Sequence, residues 1–172
     1  MTTIACNGKE IAADSRCSEE GVGGDTYSVI KLFVGGKAIY GVTGEDCTGS
    51  LTALTWLQSV RNEPDKPLPP DYDCGWSWRL LELSAEGIAV YNERLERELS
   101  LETMLAVGSG RKVALYCMRY LHMSPAEAVR EACRIDHHSE LPIYTASLAD
   151  LKVRRWSPPA KKRKPTVATG AS

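Results

Sequence analysis

The stretch that decides the reading is Met1-Thr2-Thr3-Ile4-Ala5-Cys6-Asn7-Gly8-Lys9-Glu10-Ile11-Ala12-Ala13-Asp14. A methionine followed by a small residue is a good substrate for methionine removal, which would leave Thr2 as the N-terminus. A terminal threonine carries a hydroxyl nucleophile and a free α-amine on one residue, so the amine can take the hydroxyl proton directly or through one water. Asn7-Gly8 between two apolar runs predicts a two-residue hairpin turn. That register sets Cys6 opposite Lys9, Ile4 opposite Ile11 and Thr2 opposite Ala13. Asp14 then falls one pair beyond Thr2, about one strand spacing away. Alternation alone would aim its side chain at the other face, so the turn explains proximity but not aim.

A second hairpin follows. Tyr27–Val34 reads as a strand, Gly35-Gly36 as its turn, and Lys37–Thr43 as the return, ending in Gly44-Glu45-Asp46. Lys31 stands inside Val29-Ile30-Lys31-Leu32-Phe33, a run too apolar to favour an ammonium. One reading is an edge-strand charge that discourages aggregation. The other is a half-buried lysine whose field lowers the pKa of a neighbouring amine or hydroxyl, and this reading needs a carboxylate partner, for which Asp14 is the candidate.

Five segments in order carry a family resemblance: Thr2-Thr3-Ile4-Ala5, Ala12-Ala13-Asp14-Ser15-Arg16, Lys31-Leu32-Phe33, Gly41-Val42-Thr43-Gly44 and Val107-Gly108-Ser109-Gly110. Together they resemble proteasome β subunits and, equally, the HslV-type peptidases. The resemblance runs from Thr2 to about Leu148. It implies an α+β fold, the four-layer αββα sandwich of N-terminal-nucleophile (Ntn) hydrolases, with two antiparallel sheets flanked by helices. It also implies stacked six- or seven-fold homo-oligomeric rings enclosing the active sites. By position, Thr2 matches the nucleophile, Asp14 the buried carboxylate, Lys31 the lysine and Gly44 the oxyanion-hole glycine. Ser109 matches the serine near the terminal amine, and Asp136 and Ser139 the pair that holds it. HslV-type enzymes differ in that last segment, and the two histidines inside Asp136-His137-His138-Ser139 are outside the family pattern. The implied S1 pocket involves Cys17, Val29, Val42 and Asp46, a mixture that specifies no P1 preference.

Composition bounds the rest. A length of 172 residues favours one domain with a sizeable core. The hydrophobic share of 43% and charged share of 25% belong to a soluble globular protein. No signal peptide is recognisable and no apolar run approaches the length of a membrane span, which makes a cytoplasmic location the expectation. The six cysteines lie at positions 6, 17, 47, 74, 117 and 133, without CxxC or finger spacing, so reduced thiols and no metal site are expected. Nothing indicates a phosphate loop or other cofactor motif, or a nucleic-acid fold.

Charge is uneven along the chain. Of 21 basic residues six lie from Arg154 onward, where there is no acid, leaving 15 basic against 22 acidic residues in the body. The expected division is a domain over residues 1–152 and a basic, disordered tail over 153–172. Such a tail could contact an acidic partner or simply remain solvated.

Between these landmarks, Thr48–Arg61 reads as a helix with Leu51, Leu54, Leu57 and Val60 along a stripe. Residues 62–71 form a proline-rich loop. Trp76–Leu83 and Ile88–Tyr91 pair as a third hairpin, with Trp76 and Trp78 on one face, as core packing or as a ligand platform. A further strand precedes Ala106, and Gly108-Ser109-Gly110 opens a helix. Ser124-Pro125-Ala126-Glu127 predicts the next helix start through a capping box with proline at the first helical position. Leu141–Leu148 is the closing strand.

The activity the resemblance implies is hydrolysis of peptide bonds through an ester on Thr2, with polypeptide substrates and delivery by an ATP-dependent unfoldase left open. Three competing readings share parts of the pattern. A small-molecule Ntn amidohydrolase would use Thr2 without a ring. An inactive ring scaffold would keep the fold alone. A Cys–His enzyme would use His137 or His138, but these read rather as residues at a helix C-terminus, and no cysteine sits on a recognisable nucleophile turn.

Overall fold

The first hairpin closes two residues away from the register that Asn7-Gly8 predicts. In the computed structural model, which describes residues 2–18, 26–44, 47–60, 78–92 and 95–158, β1 (Thr3–Cys6) pairs antiparallel with β2 (Glu10–Ala13). The register is Ile4 with Ala13, Ala5 with Ala12 and Cys6 with Ile11. Asn7 donates its N–H to the Glu10 carbonyl, and its side-chain oxygen accepts from the N–H groups of Lys9 and Glu10. Asn7 therefore acts as a turn-closing acceptor. Gly8 supplies the positive φ of 78° at the first central position. The shift matters because Asp14 now stands opposite Thr3, with its N–H on the Thr3 carbonyl at 3.1 Å.

The expected strand over 27–34 is two strands. After β3 (Arg16–Ser18) comes β4 (Thr26–Ser28), which among the described residues pairs with β3 alone. The chain then crosses over at residues 29–31 and resumes as β5 (Leu32–Gly35). Val29 donates to the Ser15 carbonyl and the Lys31 carbonyl accepts from Val42. The break leaves Lys31 outside either ladder, at the junction of the small β3–β4 ribbon and the larger sheet.

The second sheet continues with β6 (Ala38–Gly44), β7 (Trp78–Ser84), β8 (Gly87–Tyr91) and β9 (Arg97–Leu99), in the order β5-β6-β7-β8-β9. The strand expected before Ala106 is thus β9, and a further strand, β10 (Leu105–Gly108), runs through Ala106 and belongs to the other sheet. That first sheet runs β10-β1-β2-β11-β12, with β11 at Tyr144–Ser147 and β12 at Arg154–Arg155. Every pairing among the described residues is antiparallel.

Three apolar layers hold the sandwich. Between the sheets, Ile4, Cys6, Ile11 and Ala13 meet Leu32, Ile39, Leu81, Leu83 and Ile88. Along β1 and β2 these residues alternate with ones on the opposite, helix-covered face, as strand geometry requires. Gly41 leaves the space that the Ile4 and Ile11 side chains occupy. The other face of the first sheet is paved with Ala5, Ala12 and Ala106, and small residues there admit α2 (Arg111–Leu121) and α3 (Pro125–Ile135) through Ala114, Met118, Val129 and Ala132. On the far side of the second sheet, α1 (Cys47–Val60) packs Ala53 and Leu54 on Tyr40, Val42, Trp78 and Leu80. Trp78 is therefore a core residue; Trp76 and the proline-rich loop lie outside the described residues.

Order also extends past residue 152. Arg154–Arg155 pairs with Tyr144–Thr145, Trp156 donates its N–H to the Ile143 carbonyl, and its ring packs on the helix layer beneath the Arg130 guanidinium. The first residues of the expected tail thus belong to the sandwich, because an edge strand and a tryptophan offset the ordering entropy that the basic, proline-rich composition alone could not.

Candidate active site

The start of β1 is held on two sides. On one side Asp14, fully buried, accepts four hydrogen bonds. Its Oδ1 receives the Thr3 N–H at 2.8 Å and the Lys31 ammonium at 3.0 Å. Its Oδ2 receives the N–H groups of Arg16 at 3.0 Å and Glu140 at 3.2 Å. Lys31 is 6% exposed and also donates to the Arg16 carbonyl at 2.6 Å. It is a buried ion-pair partner and not an edge-strand charge. Burial lowers the pKa of Lys31 below its ordinary value, and the Asp14 carboxylate works against that by favouring the ammonium.

On the other side, the strand-to-helix turn after β10 and the end of α3 bring three more predicted residues together. Ser109 donates its N–H to the Thr2 carbonyl at 2.9 Å. The Asp136 carboxylate accepts the hydroxyls of Ser109 at 2.6 Å and Ser139 at 2.7 Å, and the His138 N–H at 3.3 Å. Burial pushes the Asp136 pKa up, but those hydrogen bonds outweigh it and hold the carboxyl below its usual range. Gly108 and Gly110 are positional here, not merely flexible. A Cβ on Gly108, at φ 93°, would run into the Thr2 carbonyl, and one on Gly110 into the Thr3 hydroxyl.

Thr2 itself is 4% exposed, between these two groups. The structure thus gathers Thr2, Asp14, Lys31, Ser109, Asp136 and Ser139 around the first peptide of β1. Gly44 ends β6 opposite Trp78, and Asp46 lies outside the described residues. Of the other residues implied for an S1 pocket, Cys17 is half-buried on β3, Val29 is half-buried at the crossover, and Val42 lies between the sheet and α1. His137 and His138 are exposed on the turn after α3. The thiols of buried Cys6 and half-buried Cys133 are each pushed up to about 12, chiefly by desolvation, which is the opposite of what a cysteine nucleophile requires. Among the described residues no cluster of His, Cys, Asp and Glu could hold a metal ion, and no helix is long and apolar enough to cross a membrane.

Thr3 is the residue that sequence reasoning missed. It is fully buried, its N–H is on Asp14, and its Oγ1 lies 2.6 Å from Ser139 Oγ while accepting the Gly110 N–H at 3.1 Å. Strand parity was the available signal, since it turns Thr3 away from the face of Thr2 and Ile4 and toward the helices.

Two antiparallel sheets packed face to face between helical layers make a four-layer αββα sandwich, with the start of its first strand clasped by a buried carboxylate and lysine. That fold is seen in the crystal structure of eukaryotic HslV from Trypanosoma brucei, which superposes with a TM-score of 0.64 at 17% sequence identity over 84% of this chain and 97% of that one. A second solved structure, Thiobacillus denitrificans BPH, matches with a TM-score of 0.53 at 18% identity over 91% of this chain and 98% of that one. At such identities the likeness shows a shared HslV-like fold. No family model matches the chain, and no curated protein matches it in sequence.

Proposed function

We propose that this chain is a threonine-type endopeptidase, a proteasome-like subunit that cleaves peptide bonds through Thr2 once Met1 has been removed. The observation that carries the reading is the buried Asp14–Lys31 pair, 3.0 Å apart, set against the first peptide of β1. Burying a lysine and an aspartate costs several kcal/mol per ion before pairing repays it. Such a pair against a threonine-led strand is suited to tuning a terminal amine and hydroxyl.

In the mechanism, the Thr2 hydroxyl attacks the scissile carbonyl while the Thr2 α-amine accepts its proton and returns it to the leaving amine. Water then hydrolyses the ester on Thr2, with the same amine as base. A free α-amine has a reference pKa of about 7.7–8.0. The Lys31 charge lowers it further, so that the amine is neutral at working pH. Asp14 orients Lys31, and Ser109, Asp136 and Ser139 hold the amine. The Gly44 N–H faces the oxyanion, a kind of contact worth about 3 kcal/mol in transition-state stabilisation. Cys17, Val29 and Val42 contribute to the S1 wall. The chemistry calls for no cofactor. The active form is a closed homo-oligomeric ring, stacked in pairs, that admits unfolded polypeptide.

The test pairs Thr2→Ala with light scattering. The parent protein hydrolyses peptides as a multi-subunit ring, and Thr2→Ala assembles equally but is inactive. Peptide hydrolysis retained by Thr2→Ala would refute the assignment of the nucleophile. A monomer acting on small amides and not on peptides would favour the small-molecule amidohydrolase.

A further inference from the structure

The Thr3 side chain links groups that the proposed mechanism treats separately. A hydroxyl has one proton, which sets the direction of the chain of contacts. Ser139 donates to the Asp136 carboxylate, so the 2.6 Å contact between Thr3 and Ser139 must be a donation from Thr3. The Thr3 oxygen in turn accepts from the Gly110 N–H. The chain therefore runs from the Gly110 N–H to the Thr3 hydroxyl, on to the Ser139 hydroxyl and to the Asp136 carboxylate, where the Ser109 hydroxyl also ends. The backbone of the same residue donates to Asp14, which holds Lys31. One buried residue thus joins both charged centres beside Thr2.

We infer that Thr3 is a positioning residue, and that its hydroxyl sets the protonation of the Thr2 amine by polarising Ser139 toward Asp136. This rests on the proposed role of Thr2. A hydroxyl that accepts a hydrogen bond becomes a stronger donor, and in a buried chain the effect is cooperative. With Thr3 in place, Ser139 draws negative charge off Asp136. Without it, the barer carboxylate favours the ammonium form of the nearby amine, which cannot act as a base. The β-methyl has no part in this, so serine should serve and valine, of matching shape, should not.

The experiment compares the parent, Thr3→Val, Thr3→Ser and Thr2→Ala. Two quantities are read: the pH profile of peptide hydrolysis, and the pH midpoint for acetylation of the Thr2 amine by acetic anhydride, followed on the N-terminal peptide by mass spectrometry. In Thr3→Val, kcat falls about tenfold while KM stays within about twofold, the signature of a lost protonation effect and not of lost binding. The acid limb and the acetylation midpoint both move to higher pH. Thr3→Ser restores most of the activity and the parental midpoint. An unmoved or lowered midpoint in Thr3→Val overturns the inference; if Thr2→Ala is inactive, the proposed function survives. Hydrolysis persisting in Thr2→Ala overturns the function instead, while a raised midpoint in Thr3→Val still supports the network, because it is read on the amine. Thr3→Ser behaving like Thr3→Val would make the residue a packing element and refute the inference.

Discussion

Removing either member of the Asp14–Lys31 pair should cost unequal amounts of stability, and the difference follows from counting what each is left with. When Lys31 is replaced by methionine, Asp14 still accepts three backbone N–H groups, from Thr3, Arg16 and Glu140. Its oxygens therefore keep hydrogen-bond donors on both sides and are not left unsatisfied. The loss is two charge-assisted hydrogen bonds, largely offset by no longer burying an ammonium, about 1–2 kcal/mol net. When Asp14 is replaced by asparagine, Lys31 loses its counter-charge in a site where it is 6% exposed, and only neutral oxygens such as the Arg16 carbonyl are left to it. Moreover, whichever way the amide turns, its NH2 faces donors. Breaking a buried pair in this way costs about 3–5 kcal/mol, because an uncompensated charge stays behind. For a chain of this length 1 kcal/mol shifts Tm by about 2–4 °C. Asp14→Asn should therefore melt about 6–20 °C below the parent, and Lys31→Met about 2–8 °C below it. Differential scanning calorimetry at one protein concentration reads both. A larger loss for Lys31→Met than for Asp14→Asn would refute the reasoning.

Further expectations concern the same residues and the C-terminus. Lys31→Arg should fold but fail to hydrolyse peptides, since a guanidinium differs in size, geometry and acidity from the ammonium that must fit between Asp14 and the Arg16 carbonyl; near-parental kcat would count against a protonation role for Lys31. Asp136 titrates below its ordinary value of 3.8 in the folded chain, so its contribution to stability is complete above that value and is lost as pH falls through its lower folded pKa. Asp136→Asn should accordingly show a flatter stability curve below about pH 4 in urea titrations, and an unchanged slope would contradict the assignment. Deleting residues 159–172 should leave Tm and peptide cleavage nearly unchanged. Deleting from 153 removes β12 and the Trp156 packing as well, and should lower Tm by about 4–8 °C for about 2 kcal/mol lost. Equal effects of the two truncations would show that those contacts contribute nothing.

What the sequence made legible was what local chemistry decides. Ser124-Pro125-Ala126-Glu127 predicted the start of α3, and both halves of the capping box form there: Glu127 N–H to Ser124 Oγ, and Ser124 N–H to the Glu127 carboxylate. Alternation along β1 and β2 marked the face that meets the second sheet. The hairpin register was not legible, because Asn7-Gly8 supports two closures. Asn7 bonding to Lys9 and Glu10 favours the one that places Asp14 opposite Thr3. The break at 29–31 was hidden for a similar reason. Val29-Ile30-Lys31-Leu32-Phe33 has unbroken strand propensity, and the break is imposed by tertiary contacts of Val29 and Lys31. Thr3 escaped because its partners Ser139 and Gly110 are more than a hundred residues away, where no local pattern speaks of them. Arg154–Arg155 and Trp156 were hidden by basic, proline-rich surroundings, although a tryptophan near the end of a chain often finds a surface to cover.

The central claim is that Thr2 acts as nucleophile and base together, which is possible only when its nitrogen is a free amine. A peptide epoxyketone bonds to hydroxyl and amine at once when both belong to one terminal residue, so intact-mass and peptide-mapping spectrometry after treatment reads the arrangement directly. The account predicts one adduct per chain, on Thr2, in protein lacking Met1. It predicts none in Thr2→Ala and none in protein that retains Met1. An adduct on any cysteine, or full peptidase activity with Met1 still attached, would contradict it.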